Sequence, residues 1–145
     1  MHGYSLNLSV QKLENMILGE KFYEALAHLY YAIIKADKEF DKEEYASAIK
    51  YIRDYWLPLE EKLDSKGESI ALVAVDTIHN LKEKDITAKD ALKVFKEYYH
   101  ENQKHFSSHL RHHIRKTCEK LAEMSHGVDK HEAKILKEVK ELVEE

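Results

Sequence analysis

The sequence is poor in cysteine, proline and glycine, and each shortage removes a class of protein. Cys118 is the only cysteine among 145 residues, so no disulfide can form within the chain and secretion gains no support. One proline and four glycines leave few positions for the tight turns that join β-strands. No run approaches the roughly 18 apolar residues that span a bilayer, and residues 1–6 lack the pattern of a signal peptide. We therefore expect a cytoplasmic protein without membrane insertion.

The net charge is also small, because acidic and basic residues nearly balance. The net charge is −4, which is too mild to predict a nucleic-acid partner. Ten histidines would reverse that sign if all were protonated. Hydrophobic residues make up 43% of the chain, which is enough to bury a core in one domain spanning residues 1–145.

Apolar residues recur at helical spacing almost throughout the chain. The stripes that they form cover residues 22–36, 45–63, 70–81, 88–98, 106–122 and 135–143. Pro58 lies inside the second stripe, so that helix kinks there or a new helix begins. The pattern predicts an all-α bundle of six to seven helices with no strand.

Three helix starts carry a capping signature. In each, an oxygen-bearing side chain stands three residues before an acidic one, which can satisfy a free backbone amide. The pairs are Asp41 with Glu44, Thr87 with Asp90, and Asp129 with Glu132. Gly67 and Gly127 are predicted to lie where the chain reverses direction.

Two of these junctions echo each other at an offset of 88 residues. Residues 36–44 read Ala-Asp-Lys-Glu-Phe-Asp-Lys-Glu-Glu, and residues 124–132 read Met-Ser-His-Gly-Val-Asp-Lys-His-Glu. The apolar stripes downstream match better at 87, so the repeat slips by one residue inside the helix. We predict two pseudo-repeated halves, at about residues 20–57 and 107–144.

The paired junction resembles the signature of the TerB-like family, helical domains named for a tellurite-resistance protein and also found fused to membrane-anchored J-domain co-chaperones. That signature is Ala-Asp-Gly at a helix end, then a hydrophobic residue, an Asp or Ser cap, and a Glu in the next first turn. Residues 25–52 and 114–143 fit it, whereas residues 53–113 match only in helical character. Lys38 replaces the Gly of the first half, and Ser125-His126-Gly127 replaces Ala-Asp-Gly in the second.

The resemblance implies a non-catalytic binding domain in a stress, tellurite or metal-resistance response. It also implies an acidic patch that binds cations, and a protein partner, with membrane-associated stress machinery as one class. A homodimer is a further option. The residues that would form the patch are Asp37, Asp41, Glu44, His126, Asp129 and Glu132.

The chemistry of those side chains leaves three options: an ion bound by oxygen atoms, a zinc ion, or no ion at all. Asp37, Asp41 and Glu44 offer only oxygen, which suits Ca²⁺ or Mg²⁺. His126 draws the second junction toward Zn²⁺. Helix capping alone accounts for Asp41 and Asp129 with no cofactor bound.

Histidines crowd the region before and within the fifth stripe. His105, His109 and His113 recur every four residues and are predicted to share one helical face, with His112 at its edge. A structural zinc site needs four ligands, and this segment supplies neither a cysteine nor a carboxylate. A solvated basic helix and an anion-binding or acidic-partner surface are the remaining interpretations.

Catalytic motifs are missing from the sequence. There is no phosphate-binding glycine loop, serine elbow or His-Glu-x-x-His motif, and Cys118 stands beside an apolar stripe as a core residue would. We therefore predict a binding domain and not an enzyme. The alternative is a hemerythrin-like di-iron bundle, whose ligand set would draw on His28, His79, Glu83, His105 and His109.

Overall fold

The computed structural model describes residues 19–36, 42–60, 63, 67–124 and 130–144, with the side chains of the last range given from 133 to 143. Within these ranges the chain forms six α-helices and two short 3₁₀ segments, and it contains no β-strand. The prediction of an all-α fold is confirmed. The helices are α1 (Glu20–Ala36), α2 (Lys42–Trp56), α3 (Leu72–Glu83), α4 (Ala88–Glu101), α5 (Ser108–Met124) and α6 (Lys130–Glu144). The 3₁₀ segments are Leu57–Leu59 and Gln103–His105.

Helix α1 is the centre of the fold. It packs against α3, α4, α5 and α6, and twelve of its seventeen residues are buried. The sequence predicts one apolar face, but the side chains of Tyr23, Ala27 and Tyr31 extend the burial around the helix. A helix that is apolar on most sides is stable only where neighbours cover it from several directions. Each end of α1 contributes residues to one of the two cavities described below.

The second helix is shorter than its apolar stripe suggests. α2 ends at Trp56, and Pro58 lies in the 3₁₀ segment that follows, because proline cannot donate the hydrogen bond that an α-helix would need there. Leu63 is outside any helix and forms an isolated bridge with Ser69. Gly67 adopts a left-handed φ of 82° between them, as its predicted place in a chain reversal requires.

The connection from α3 to α4 is tied to α1. Asp85 takes a left-handed φ of 50°, and its carboxylate lies 2.5 Å from the Lys35 ammonium. The Tyr31 hydroxyl donates to the Ile86 carbonyl at 2.6 Å. Thr87 caps α4, since its Oγ1 accepts from the Asp90 amide at 3.1 Å, which is the cap that the sequence predicts.

The fifth helix begins later than its stripe. Phe106 is fully buried but precedes α5, and the Ser107 hydroxyl accepts from the Leu110 amide at 3.1 Å at the helix start. His105 belongs to the preceding 3₁₀ segment, so the prediction that it shares a helical face with His109 and His113 is wrong. The turn at Asn102 and Gln103 interrupts the helix before the periodic pattern resumes.

None of the helices in the described part of the chain is long and apolar enough to cross a membrane.

α5 packs on α6, whereas the main neighbours of α1 are α3 and α4. The predicted superposition of residues 20–57 on residues 107–144 stays a prediction.

Candidate binding sites at the two ends of α1

The predicted acidic junctions are described only in part. Glu44 lies in the first turn of α2, with both carboxylate oxygens buried. Glu132 lies in the first turn of α6. Asp37, Asp41, His126 and Asp129 are outside the described residues, so the cation site stays a prediction.

The di-iron alternative lacks the convergence that it requires. Among the described side chains, no three His, Cys, Asp or Glu residues are grouped as a metal ion would need. His28 hydrogen-bonds through Nδ1 to the Glu24 carbonyl oxygen at 2.7 Å. His79 is exposed and shares a hydrogen bond with the Tyr45 hydroxyl.

A cavity of about 880 Å³ opens at the C-terminal end of α1. Its walls come from α1, the first half of α4, and α6. Alanine, leucine and isoleucine side chains form its apolar part, and lysines dominate the charged part. The described lining residues are Lys35, Ala36, Ala88, Lys89, Asp90, Leu92, Lys93, Lys96, Lys134, Ile135 and Glu138. We call this space the lysine cavity.

Two of the five lysines are neutralised by neighbours. Lys35 pairs with Asp85, and the Lys96 ammonium donates to Glu138 Oε2 at 2.8 Å. Lys89, Lys93 and Lys134 make no ion pair with any residue that the structure describes. With Asp90 and Glu138 included, the described lining residues carry five positive and two negative side chains, an excess of positive charge in a chain whose net charge is −4.

A second cavity, of about 280 Å³, lies near the opposite end of α1. α1 contributes Phe22 and Tyr23, the end of α2 and its 3₁₀ extension contribute Trp56 and Leu59, and three histidines come from the other side. The full set is Phe22, Tyr23, Trp56, Leu59, Glu60, His105, Ser107, His109, Leu110 and His113. We call this space the histidine cavity.

Hydrogen bonds hold His113 in a defined position. Its Nδ1 lies 2.6 Å from the Tyr55 hydroxyl, and its Nε2 lies 3.0 Å from Nε2 of His109. The rings of His109 and His113 are almost perpendicular, with centroids 4.4 Å apart. Partial burial and the neighbouring His109, His112 and Lys116 lower the pKa of His113.

One residue of the histidine cavity is a carboxylate from a distant part of the chain. Glu60 lines the same cavity, and the Tyr23 hydroxyl donates to its Oε2 at 3.1 Å. Burial, and then Glu60, raise the pKa of Tyr23. No carboxylate stands within one helical turn of His109 in the sequence, so local spacing did not indicate Glu60. No local periodicity links residue 60 to residue 109.

No pattern in the sequence indicated that the lysines of this cavity form a site. Lys89, Lys93 and Lys96 are spaced by four and three residues on α4, which indicates one helical face. Such spacing is ordinary on a solvated helix, and only the fold places Lys134 of α6 beside them.

Comparison of the chain with protein-family models, with curated proteins and with solved structures finds no match. The resemblance to the TerB-like family therefore stays a prediction.

Proposed function

We propose that this chain is a non-catalytic binding domain whose lysine cavity takes an acidic segment of a partner protein. The observation that carries the proposal is the collection of five lysines from three helices around one cavity that also has apolar lining residues. Surface lysines in a chain of net negative charge are usually dispersed among carboxylates, as on a mixed solvated face. Here three of them have no acidic partner among the described residues.

The arrangement of the lysines favours an extended ligand over a small anion. Lys89 and Lys96 are seven positions apart on α4, so their attachment points are separated by about 10 Å along the helix axis. Lysine ammonium groups are flexible, strongly hydrated point charges, which contact several separate carboxylates more readily than they enclose one. No arginine among the described lining residues offers the bidentate geometry that selects a single carboxylate or phosphate.

The apolar part of the cavity gives the partner a second requirement. Leu92 and Ile135 lie among the lysines, so a segment with acidic residues and one or two apolar residues would match both features. Apolar burial supplies most of the affinity in such contacts, and charge complementarity supplies selectivity and a faster association. A partner in a stress or metal-resistance response, and a cytoplasmic setting, are the finer predictions that the TerB-like resemblance adds.

Fluorescence anisotropy with a labelled poly-glutamate peptide tests the proposal. We expect the double variant K89E/K93E to weaken binding by about tenfold or more, since each reversed charge removes an attraction and adds a repulsion of some tenths of a kcal/mol. Binding by the unsubstituted protein should also weaken steeply with added salt.

Lys134 and Lys137 provide a matched control pair on α6. Lys134 lines the cavity, whereas Lys137 is exposed and does not. Lys134→Glu should weaken peptide binding, and Lys137→Glu should leave it within about twofold of the unsubstituted protein, a difference of a few tenths of a kcal/mol. Equal losses for the two variants would mean that the peptide senses net charge only, and the cavity would not be the site.

A further inference from the structure

The geometry points to a second site, independent of the lysine cavity: a two-histidine clamp for a divalent transition-metal ion, formed by Nε2 of His109 and Nε2 of His113. Both residues line the histidine cavity, from consecutive turns of α5. The ion that fits best is Cu²⁺. Phe22 and Ala36, one at each cavity, are fourteen positions apart on α1, so the sites are separated by about 20 Å.

The separation of the two nitrogens matches a chelating pair. Nε2 of His109 and Nε2 of His113 are 3.0 Å apart. Two imidazole nitrogens at about 2.1 Å from one ion, at a right angle to each other, stand about 3.0 Å apart. A tetrahedral angle would require about 3.4 Å, so the observed spacing is close to what one ion needs in either geometry, and the choice of ion rests on the order of affinities. Cu²⁺ leads the affinity order of divalent ions for nitrogen ligands.

The hydrogen bond with Tyr55 orients the His113 ring for this role. When Nδ1–H of His113 donates to the Tyr55 hydroxyl oxygen at 2.6 Å, the lone pair of Nε2 is left for an ion. Metal-binding histidines use their second ring nitrogen in this way, which fixes both the tautomer and the ring orientation. Trp56 holds the other side of the ring, with centroids 6.3 Å apart. His113 is therefore oriented before any ion arrives.

Nearby cations oppose the ion only weakly. Arg111 donates through Nε to the Phe106 carbonyl at 2.8 Å, and Lys116 is exposed to solvent. Repulsion between exposed charges is of the order of 1 kcal/mol in water and is screened by salt. Glu60 is the carboxylate among the lining residues of the same cavity.

Two protein ligands leave coordination positions open on the ion. Water or an oxygen or nitrogen donor that enters the histidine cavity would fill them, because the described side chains include no third ligand grouped with the pair. The inference therefore assigns an open, exchangeable site and not a structural one.

Isothermal titration of the tag-free protein with Cu²⁺, paired with electron paramagnetic resonance, tests the clamp. The protein should carry His2→Ala, because a histidine next to a free amino terminus binds Cu²⁺ in any peptide. In that background we expect one ion bound, with the spectrum showing imidazole nitrogen ligands. His109→Ala and His113→Ala should each weaken binding by about tenfold or more.

His112 supplies the matched control, because it lies on α5 between the two ligands and is exposed. His112→Ala should keep both the affinity and the spectrum, and Tyr55→Phe should weaken binding less than loss of either ligand while altering the spectrum. Circular dichroism establishes that each variant is folded, which is expected since His109 is itself exposed. Unchanged Cu²⁺ affinity and spectrum in His109→Ala would overturn the inference and leave the pair as a hydrogen bond only.

Discussion

At the scale of single residues, buried polar groups are of two kinds: those with a hydrogen-bond partner and those without one among the described residues. The Trp56 indole donates to Thr117 Oγ1 at 3.1 Å, and the Thr117 hydroxyl donates to the His113 carbonyl at 2.8 Å. The Tyr99 hydroxyl is buried and has no hydrogen-bond partner among the residues that the structure describes. Cys118 is buried as predicted, and burial raises the pKa of its thiol, as expected of a core residue and not of a nucleophile.

This contrast predicts opposite outcomes for two nearly isosteric substitutions. Tyr99→Phe removes a buried group without a partner, so the free energy of unfolding should stay equal or rise by up to about 1 kcal/mol. Thr117→Val should lower it by about 1–3 kcal/mol, because the Trp56 indole loses its acceptor inside the core. Urea unfolding followed by tryptophan fluorescence measures both changes. A loss above about 1 kcal/mol in Tyr99→Phe would show that its hydroxyl is bonded.

At the scale of the helices, starts and ends follow local side-chain chemistry. The hydroxyl oxygens of Thr87 and Ser107 each accept a hydrogen bond from the backbone amide three residues ahead, at 3.1 Å. α2 and α6 begin at Lys42 and Lys130, one position after Asp41 and Asp129 in the sequence. The sequence predicts the Thr87 cap but not Ser107, because no acidic residue follows Ser107 at the third position.

Removal of a cap should destabilise the protein by a predictable amount. Thr87→Ala and Ser107→Ala should each lower the free energy of unfolding by roughly 0.5–2 kcal/mol, and Thr87→Ser should retain most of it. Ser108→Ala is the control, because Ser108 is exposed in the first turn of α5 and caps nothing in the structure. Equal losses at Ser107 and Ser108 in thermal unfolding would contradict the assignment of the cap.

The same measurement applied to Asp41 and Asp129 separates capping from cation binding. If capping alone explains them, Asp→Ala should cost roughly 0.5–2 kcal/mol. Added Ca²⁺ or Zn²⁺ should then barely move the melting temperature of the unsubstituted protein. A large rise with metal, lost in Asp37→Ala or Asp41→Ala, would instead support the predicted acidic site.

At the scale of the whole molecule, tyrosines join elements that surround α1 to one another. The Tyr45 hydroxyl joins α2 to His79 of α3, and Tyr98 of α4 packs edge-on against Phe106. Burial, followed by Tyr31 and Glu83, raises the pKa of Tyr45 to about 12. Burial alone raises the pKa of Tyr98 to about 12.

These pKa shifts predict an alkaline limit to stability. An unfolded tyrosine ionises near its ordinary pKa of 10.0, whereas Tyr45 and Tyr98 keep their protons in the folded chain up to about pH 12. The folded state then binds more protons than the unfolded state, so the free energy of unfolding falls as pH rises from 10 through 12. Tyrosinate absorbance and circular dichroism, recorded together, measure this. Complete tyrosine ionisation below pH 12 with the helices intact would contradict it.

The sequence alone determined what depends on neighbours three or four positions away. The α-helical class, the break of the second helix at Pro58 and the Thr87 cap all follow from hydrogen bonds and side-chain spacing within one or two turns. The tertiary structure decided what depends on distant contacts. It made α1 the buried centre, brought Glu60 into the cavity that His109 lines, and brought Lys134 into the cavity that Lys89 and Lys93 line. Helical periodicity says which face of a helix is apolar, but the partner for that face is chosen by packing among all the helices at once, which no local pattern records.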